Sequence, residues 1–415
     1  MSMKRNVWIW NHYATNTYFD QGGRHYNFAK YLSEAGYTPR IFCASTIHNS
    51  SKTIDLSGKV WMEKNDSVCP YIFVRARPYT GNGKQRVLNM IDFYRNVKKT
   101  AQEYAVIHGK PDIIYASSVH PLTLVAGIQM AKHFGVKCIC EVRDLWPEGI
   151  VAQSARLTKN NPLIWLLYQG ERWIYEKADA IIFTMEGAYD YIKEQGWDRT
   201  IPREKVFHIN NGVDLAVFDE NRVNFPFEDA DLQRKDVFCV VYTGSIRRVN
   251  NLGLVVETAK KLTDTKIRFL IWGDGDERQT LEGQVQDEGI SNVVFKGKVE
   301  KKYIPSIVSQ ADLNLLHWEY FDLHRFGVSA NKMFEYLAAG KPIFCTLKPG
   351  YSIVERNHCG NDTSGRTPDD FAAGIRRIAE MTEQERGVMG DNARMTAEKY
   401  DFRSLTQQLI NVIEG

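Results

Sequence analysis

LAVFDENRVNFPFEDADLQRKD, residues 215–236, interrupts an otherwise regular chain. It is dense in charge, contains Pro226 and keeps neither a helical nor a strand period, so it reads as a connector between domains. Before it, apolar runs alternate with amphipathic ones. NVWIW (6–10), PRIFCAS (39–45), DIIYASS (112–118), VKCICEV (136–142) and ADAIIFTM (178–185) read as buried strands. RHYNFAKYLSEAG (24–36) sets Phe28, Tyr31, Leu32 and Ala35 on one helical stripe ending at Gly36. PLTLVAGIQMAKHFG (121–135) has proline at its start and glycine after its end. After the interruption the alternation restarts, with strands VFCVVYTG (237–244), KIRFLIWGDG (266–275), NVVFKG (292–297), ADLNLLHW (311–318) and KPIFCT (341–346) between helical segments. Strands alternating with helices imply βαβ units and a parallel sheet, here twice.

The bulk numbers agree with that division. A chain of 415 residues exceeds one ordinary core. Apolar residues at 43% and charged residues at 25% suit a soluble globular protein. A net charge of +3 gives no general case for nucleic-acid binding. No apolar run approaches the length of a membrane span; the longest, PLIWLLY (162–168), is soon followed by Glu171 and Arg172. The N-terminal residues lack the apolar core of a signal peptide. The seven cysteines include no CxxC pair. Cys138 and Cys140 share one face of a strand; they could hold a metal but read as buried small hydrophobes, and the cytosol is the expected compartment.

Open α/β sheets bind ligands beyond the C-terminal ends of their strands, and several strands here end on glycine or polar residues. Gly22-Gly23 precede a helix start, where bare N–H groups could meet an anion. A flexible turn is the plainer reading, since neither GxGxxG nor a Walker lysine is present. SSVHP (117–121) ends a strand at His120, which could hold a hydroxyl, move a proton or simply start the next helix. In EVRDLWPEG (141–149), Pro147 keeps Trp146 extended, so this is a loop; Asp144 reads as a substrate-facing acceptor, with a structural ion pair through Arg143 as the alternative. YTGSIRRVNNLG (242–253) puts Gly244 at a strand end and Arg247 and Arg248 before a helix, a set suited to phosphate. Gly273 and Gly297 end two more strands, where glycine loops can frame a planar base.

HWEYFDLHRFG (317–327) holds His317, Glu319, Asp322 and His324, but at no standard zinc or calcium spacing, and reads as a polar loop. RARPYTGNGKQRVLNMIDFYRNVKK (75–99) sets Arg75, Arg77, Lys84, Arg86, Arg95, Lys98 and Lys99 against one acid, Asp92, with Val87, Met90, Ile91, Tyr94 and Val97 as an apolar stripe. That is either a segment lying on an anionic membrane surface or an ordinary surface helix. In NKMFEYLAAGKP (331–342), Lys332 and Glu335 stand three apart on one helix face, as a solvated edge or as two ligand contacts.

Taken in order, Gly22-Gly23, DLWPEG (144–149), NNGVD (210–214), YTGSIRR (242–248), GDGDER (273–278), FKGKV (295–299) and NKMFEYLAAGKP resemble the family 4 retaining glycosyltransferases of the GT-B fold. The nearest branch is bacterial enzymes that assemble capsule, O-antigen or exopolysaccharide units. The resemblance implies an α/β chain with two Rossmann-like, doubly wound parallel-sheet domains facing across a cleft. Their bounds would be 1–214 for acceptor binding and 237–397 for nucleotide-sugar binding, joined by the 215–236 connector, with a final helix at about 398–415 packing back on the first. It implies retaining transfer from a nucleotide sugar, usually UDP-linked, with an N-acetylhexosamine among the candidates. The acceptor would be a glycan or a polyprenyl-diphosphate-linked sugar. No cofactor, no metal and no nucleic acid are implied, and the location would be cytoplasmic with peripheral contact at the inner membrane surface.

By position, Arg247 would contact the diphosphate with Lys332 near it, and Glu335 would bind the ribose hydroxyls. Backbone from Gly297 to Val299, beside Gly244 and Gly273, would frame the nucleotide. Gly23 would approach the diphosphate from the other domain, and His120 and Asp144 would border the transferred sugar. Arg75, Arg77, Lys84 and Arg86 would face the acceptor or the membrane. Cationic groups suit the leaving nucleoside diphosphate, which gains negative charge as the glycosidic bond breaks. Two departures stand out. Gly327 occupies the place of the first glutamate of the family's pair, which leaves the donor sugar open. The family's lysine after the glycine-arginine turn is missing, with Asn250 and Asn251 nearby. A nucleotide-sugar 2-epimerase on the same fold and a non-catalytic nucleotide-sugar-binding subunit are the competing readings.

Overall fold

The structure is a computed structural model that describes residues 5–48, 50, 52–81, 83–118, 120–154 and 157–415. Asn82 of the basic stretch and Val119 of SSVHP lie outside the described residues. The chain divides into two compact units, Met1–Asn210 with Phe402–Gly415, and Asn211–Asp401.

The first unit contributes strands β1 (Asn6–Asn11), β2 (Thr38–Ala44), β3 (Trp61–Lys64), β4 (Tyr71–Val74), β5 (Ile113–Ser117), β6 (Lys137–Val142), β7 (Ala180–Phe183) and β8 (Val206–His208). Its helices are α1 (Thr15–Asp20), α2 (Arg24–Glu34), α3 (Lys84–His108), α4 (Pro121–Phe134), α5 (Glu148–Gln153), α6 (Pro162–Lys177) and α7 (Ala188–Glu194). The sheet runs β3-β4-β2-β1-β5-β6-β7-β8. Only β3 is antiparallel among the described strands. Strand order reverses between β1 and β5, the place where such sheets open for ligands. The central strands are buried on both faces, with Trp8, Ile9, Ile114 and Tyr115 fully covered, as helices on both sides of a parallel sheet require. Gly127 lets α4 press onto β5: a Cβ there would stand 2.7 Å from that of Ala116.

The second unit holds α8 (Leu215–Asn224), β9 (Phe238–Thr243), α9 (Gly253–Lys260), β10 (Ile267–Trp272), α10 (Arg278–Asp287), β11 (Val293–Gly297), α11 (Ile304–Gln310), β12 (Leu313–Leu316), α12 (Asn331–Ala338), β13 (Ile343–Cys345), α13 (Ile353–Arg356), β14 (Gly360–Asp362), α14 (Pro368–Ala379) and α15 (Glu383–Lys399). Its parallel sheet runs β11-β10-β9-β12-β13-β14, so its reversal lies between β9 and β12. Capping boxes at Thr367/Asp370 and Thr382/Glu385 start α14 and α15. The last helix, α16 (Phe402–Glu414), belongs to the first unit. It packs on α2 through the Phe402–Phe28 ring pair at 5.7 Å, and Arg5 reaches the Ile413 carbonyl at 2.9 Å.

The stretch 215–236 is not a structureless connector. Asp214 caps α8 by accepting from the Val217 N–H at 3.2 Å. Phe218 and Leu232 are buried in the second unit, and Phe227 packs edge-on against Trp272 and Tyr303. Asp229 and Asp231 grip Lys296 at 2.7 and 2.6 Å. Three of the charges that hid its periodicity, Asp219, Asp229 and Asp231, are anchoring contacts to residues outside the stretch. The basic stretch 75–99 likewise differs from its expectation. Helix starts only at Lys84 and runs on to His108. Met90 and Val97 are buried, whereas Val87 is exposed.

Candidate functional site

In the second unit, three neighbouring strands end on glycine. Gly244 follows β9, Gly273 follows β10 and Gly297 closes β11, with φ of +145°, +154° and +78°, a region side chains avoid. Their backbones are laced together: the Gly244 N–H donates to Trp272 O at 2.9 Å and the Gly273 N–H to Gly297 O at 2.9 Å. A Cβ on Gly273 would fall 1.7 Å from the Gly244 carbonyl oxygen. The rim at these strand ends is therefore bare backbone. Val299 turns its side chain to the apolar cluster around Trp272 and Ile307, leaving only its main chain for a ligand.

α12 brings Lys332 to this rim. Its Nζ lies 3.9 Å above the Tyr242 ring centroid and 2.7 Å from where a Cβ on Gly244 would be. Glycine at 244 is what makes room for the ammonium. Glu335 follows one turn later. Both side chains are half-buried, enclosed by protein yet touched by solvent. Among the described residues neither has a salt-bridge partner. Desolvation pushes the Lys332 pKa down to about 7, with Glu335 pulling upward. Desolvation raises that of Glu335 against the pull of Lys301 and Lys332. A lysine and a carboxylate, neither in a salt bridge among the described residues, beside exposed backbone make the arrangement of a polar ligand site. Phe334, Leu337 and Ala338 are buried on the opposite side of α12 and fix its rotation. The N-cap position of α12 is Ala330, so no side chain caps the helix, and Asn331 is its first helical residue.

Arg247 and Arg248 are exposed and follow Gly244 in the same turn. That turn is held from β12. His317, buried at the end of β12, has Nε2 2.9 Å from Asn251 O and Nδ1 2.7 Å from Thr346 Oγ1, so Nε2 donates to the carbonyl and Nδ1 accepts. Burial lowers its pKa to about 4, keeping it neutral. Asn251, at φ +47°, donates to Glu319 at 2.6 Å. His317 and Glu319, which read as members of a polar loop, thus position the arginine turn. The signal was a histidine directly after a strand. Gly327 closes a short 3-10 turn, Asp322–Phe326, at φ +103°.

In the first unit, Gly23 caps α2 at φ +94°. The next residues, Arg24 and His25, are buried and committed to Glu141 at the end of β6, at 2.7 and 3.0 Å. Ser117 Oγ donates to the same carboxylate at 2.7 Å, as does the Tyr115 hydroxyl. Burial favours the neutral acid, but Arg24 and His25 outweigh it and hold Glu141 well below the usual carboxylate range. Glu141 anchors the Gly22-Gly23 turn and is not itself presented to a ligand.

His120 sits at the start of α4, 1% exposed, with Nε2 2.6 Å from His12 Nδ1. His12 directly follows β1 and stacks on Phe93 at 4.3 Å. Desolvation, then Arg86, brings the His120 pKa to about 3; desolvation and His120 lower that of His12. The pair is neutral at pH 7, so each ring has one acceptor and one donor. His120 Nδ1 and His12 Nε2 are buried with no hydrogen-bond partner, at the two strands flanking the sheet's reversal. His12 escaped the sequence reading although it follows its strand just as His120 does. Asp144 is exposed and lines a small recess with Ser118, Pro121 and Trp146.

Of the four basic residues expected at the acceptor or membrane, three are engaged within the unit. Arg75 binds the carbonyls of Gly58 and Lys59, Arg77 pairs with Asp92 at 2.6 Å, and Arg86 donates to the Tyr13 hydroxyl at 3.4 Å. Lys84 is exposed and, among the described residues, unpaired.

Comparison with known proteins covers both units. The family described as Glycosyltransferase Family 4 matches residues 24–217, and that described as Glycosyl transferases group 1 matches residues 225–396. A curated relative, the putative teichuronic acid biosynthesis glycosyltransferase TuaH of Bacillus subtilis, is 25% identical over 276 residues, 66% of this chain and 65% of that protein's own length. Among solved structures, HepE of Anabaena in complex with UDP and glucose superposes with a TM-score of 0.66 at 14% identity, covering 99% of this chain and 100% of that one. The α,α-trehalose 6-phosphate synthase of Burkholderia multivorans gives 0.69 at 12% identity, covering 99% and 98%.

Proposed function

The chain belongs to the family 4 glycosyltransferases of the GT-B fold, and on that premise we propose that it moves a sugar from a UDP-linked donor to a surface-polysaccharide acceptor. The donor site lies in the second unit, on the glycine rim of Gly244, Gly273 and Gly297. Lys332 and Arg247 would meet the diphosphate, and Glu335 would accept from the ribose hydroxyls. The observation that carries this reading is Lys332, a half-buried ammonium with no counter-ion among the described residues, at bare strand ends. An anion supplies what is lacking there, and UDP is the anion that HepE's solved complex holds.

His12, His120 and Asp144 would border the transferred sugar and its acceptor. As neutral rings the two histidines offer one free donor or acceptor each to a sugar hydroxyl, without adding charge. We propose retention of anomeric configuration by front-face attack, with the departing phosphate taking the acceptor's proton. Among the described residues we assign no pair to the acid and nucleophile of a double displacement. The acceptor class follows TuaH, whose name places it in teichuronic acid synthesis; a lipid-linked glycan suits such a pathway. Isothermal titration with UDP tests the donor site. The proposal expects binding that Lys332→Met and Glu335→Gln each weaken about tenfold or more. Unchanged affinity in both variants refutes the site.

A further inference from the structure

α6 breaks the usual rule for a surface helix. Its buried side carries Ile164, Tyr168, Glu171, Ile174 and Tyr175. At 3.6 residues per turn, Leu163, Trp165, Leu166, Gln169, Gly170 and Trp173 fall on the opposite side, joined by the charged Glu176 and Lys177 only in the last turn. Leu163, Trp165 and Leu166 are 61%, 58% and 59% exposed, and Trp173 37%. A helix that buries one side on the unit and still turns leucine and tryptophan outward over most of its length presents a surface suited to something other than water. The same face borders an open groove of about 380 Å³ against α4, lined by Leu122, Val125, Trp146, Leu166 and Trp173. Glu171 touches the groove but accepts from the Tyr175 and Tyr191 hydroxyls at 2.6 and 2.7 Å, and burial raises its pKa to about 8, so no charge opposes an apolar occupant.

Cations edge this surface. Gln129 of α4 lines the groove and accepts from Lys98 Nζ of α3 at 3.1 Å. Lys98, Arg95 and Lys84 lie along α3, and among the described residues none has an acidic partner. Exposed Val87 extends the apolar surface onto the same helix. Tryptophan and leucine beside unpaired basic residues match the boundary of a bilayer, where rings sit at headgroup level and cations meet anionic lipid.

We propose that the outward face of α6, with its groove against α4 and the cationic edge of α3, docks the protein on an anionic lipid bilayer. This deepens the reading of a lipid-linked acceptor and rests on it for its purpose. It moves the membrane contact away from Arg75 and Arg77, which are spent on internal bonds, to cations that have no acidic partner among the described residues. A protein partner, including a second copy, is the alternative occupant of the same face.

Sedimentation with phosphatidylcholine vesicles, with and without phosphatidylglycerol, tests it on the full chain. Binding is expected only with the anionic lipid. Trp165→Glu with Leu166→Glu should weaken it about a hundredfold or more, and Arg95→Ala with Lys98→Ala roughly twentyfold. Both variants should keep wild-type UDP affinity, so failure here is separate from failure of the donor site. Quenching by bromine-labelled lipid should fall in Trp165→Phe, which perturbs packing least. The proposal is overturned by wild-type protein that ignores anionic vesicles at low salt, or by Trp165→Glu/Leu166→Glu binding them as well as wild type does. It is equally overturned if that double variant only splits a dimer.

Discussion

Replacing Lys332 by methionine should make the unliganded protein more stable and the liganded one weaker. Methionine keeps the stem over the Tyr242 ring and removes the charge. Lys332 has its pKa brought from 10.5 to about 7 by burial, and a tenfold loss in proton affinity corresponds to about 1.4 kcal/mol. Taken whole, that displacement amounts to roughly 5 kcal/mol; the side chain is still touched by solvent, so we expect about 1–2 kcal/mol to be recovered. In the folded state the proton leaves near pH 7, in the unfolded state near 10.5. Between those values the unfolded chain binds more protons, and wild-type stability rises with pH. The variant's advantage is therefore full below pH 7 and closes as pH climbs toward 10.5. Thermal unfolding from pH 6 to pH 9 reads this as a melting point raised most at the acid end, with the difference narrowing toward pH 9. With UDP the order reverses, because a charge-assisted contact to phosphate, worth about 1.5–3 kcal/mol, is lost. A variant that melts lower than wild type at pH 6, or that binds UDP equally well, refutes the reasoning.

Other substitutions probe the rest. Gly244→Ala puts a Cβ 2.7 Å from Lys332 Nζ at φ +145°; it should cost about 1–3 kcal/mol in stability and displace the ammonium, seen as lost UDP heat in calorimetry. Glu141→Gln leaves the Arg24 guanidinium buried without its counter-charge, and the melting point should fall by an amount equivalent to about 3–5 kcal/mol; a near-neutral effect would refute its anchoring role. The His12–His120 pair gives acid sensitivity. Unfolded histidine takes its proton near pH 6.5, whereas His120 folded resists to about 3, so stability should drop as pH falls through that window. His12→Gln with His120→Gln should flatten the drop in a pH series of denaturation curves, and an unchanged slope would count against a neutral pair.

The parallel sheets were legible because their strands are continuous apolar runs and their helices keep a 3.6-residue stripe, both local properties of the chain. Gly244, Gly273 and Gly297 were legible as strand-end turns for the same reason, and so was the shared face of Lys332 and Glu335. Short or polar elements were not. β4 carries only YIFV and β14 only GND, too brief to show a period, and α8 was masked by charges, of which Asp219 finds its partner far along the chain in Arg394.

By itself the sequence determined two βαβ halves, the interruption between them and the residues that end each strand. Tertiary structure alone decided what those residues meet. It spends Arg24 and His25 on Glu141, 117 and 116 residues away, and sets His12 against His120 across 108. It uses His317 to hold the arginine turn, and it turns the apolar face of α6 outward. Spacing along a chain reports which side of an element a residue occupies. Whether that side finds a counter-ion, a ring or water depends on packing between distant segments, and burial then sets the charge state of what remains free.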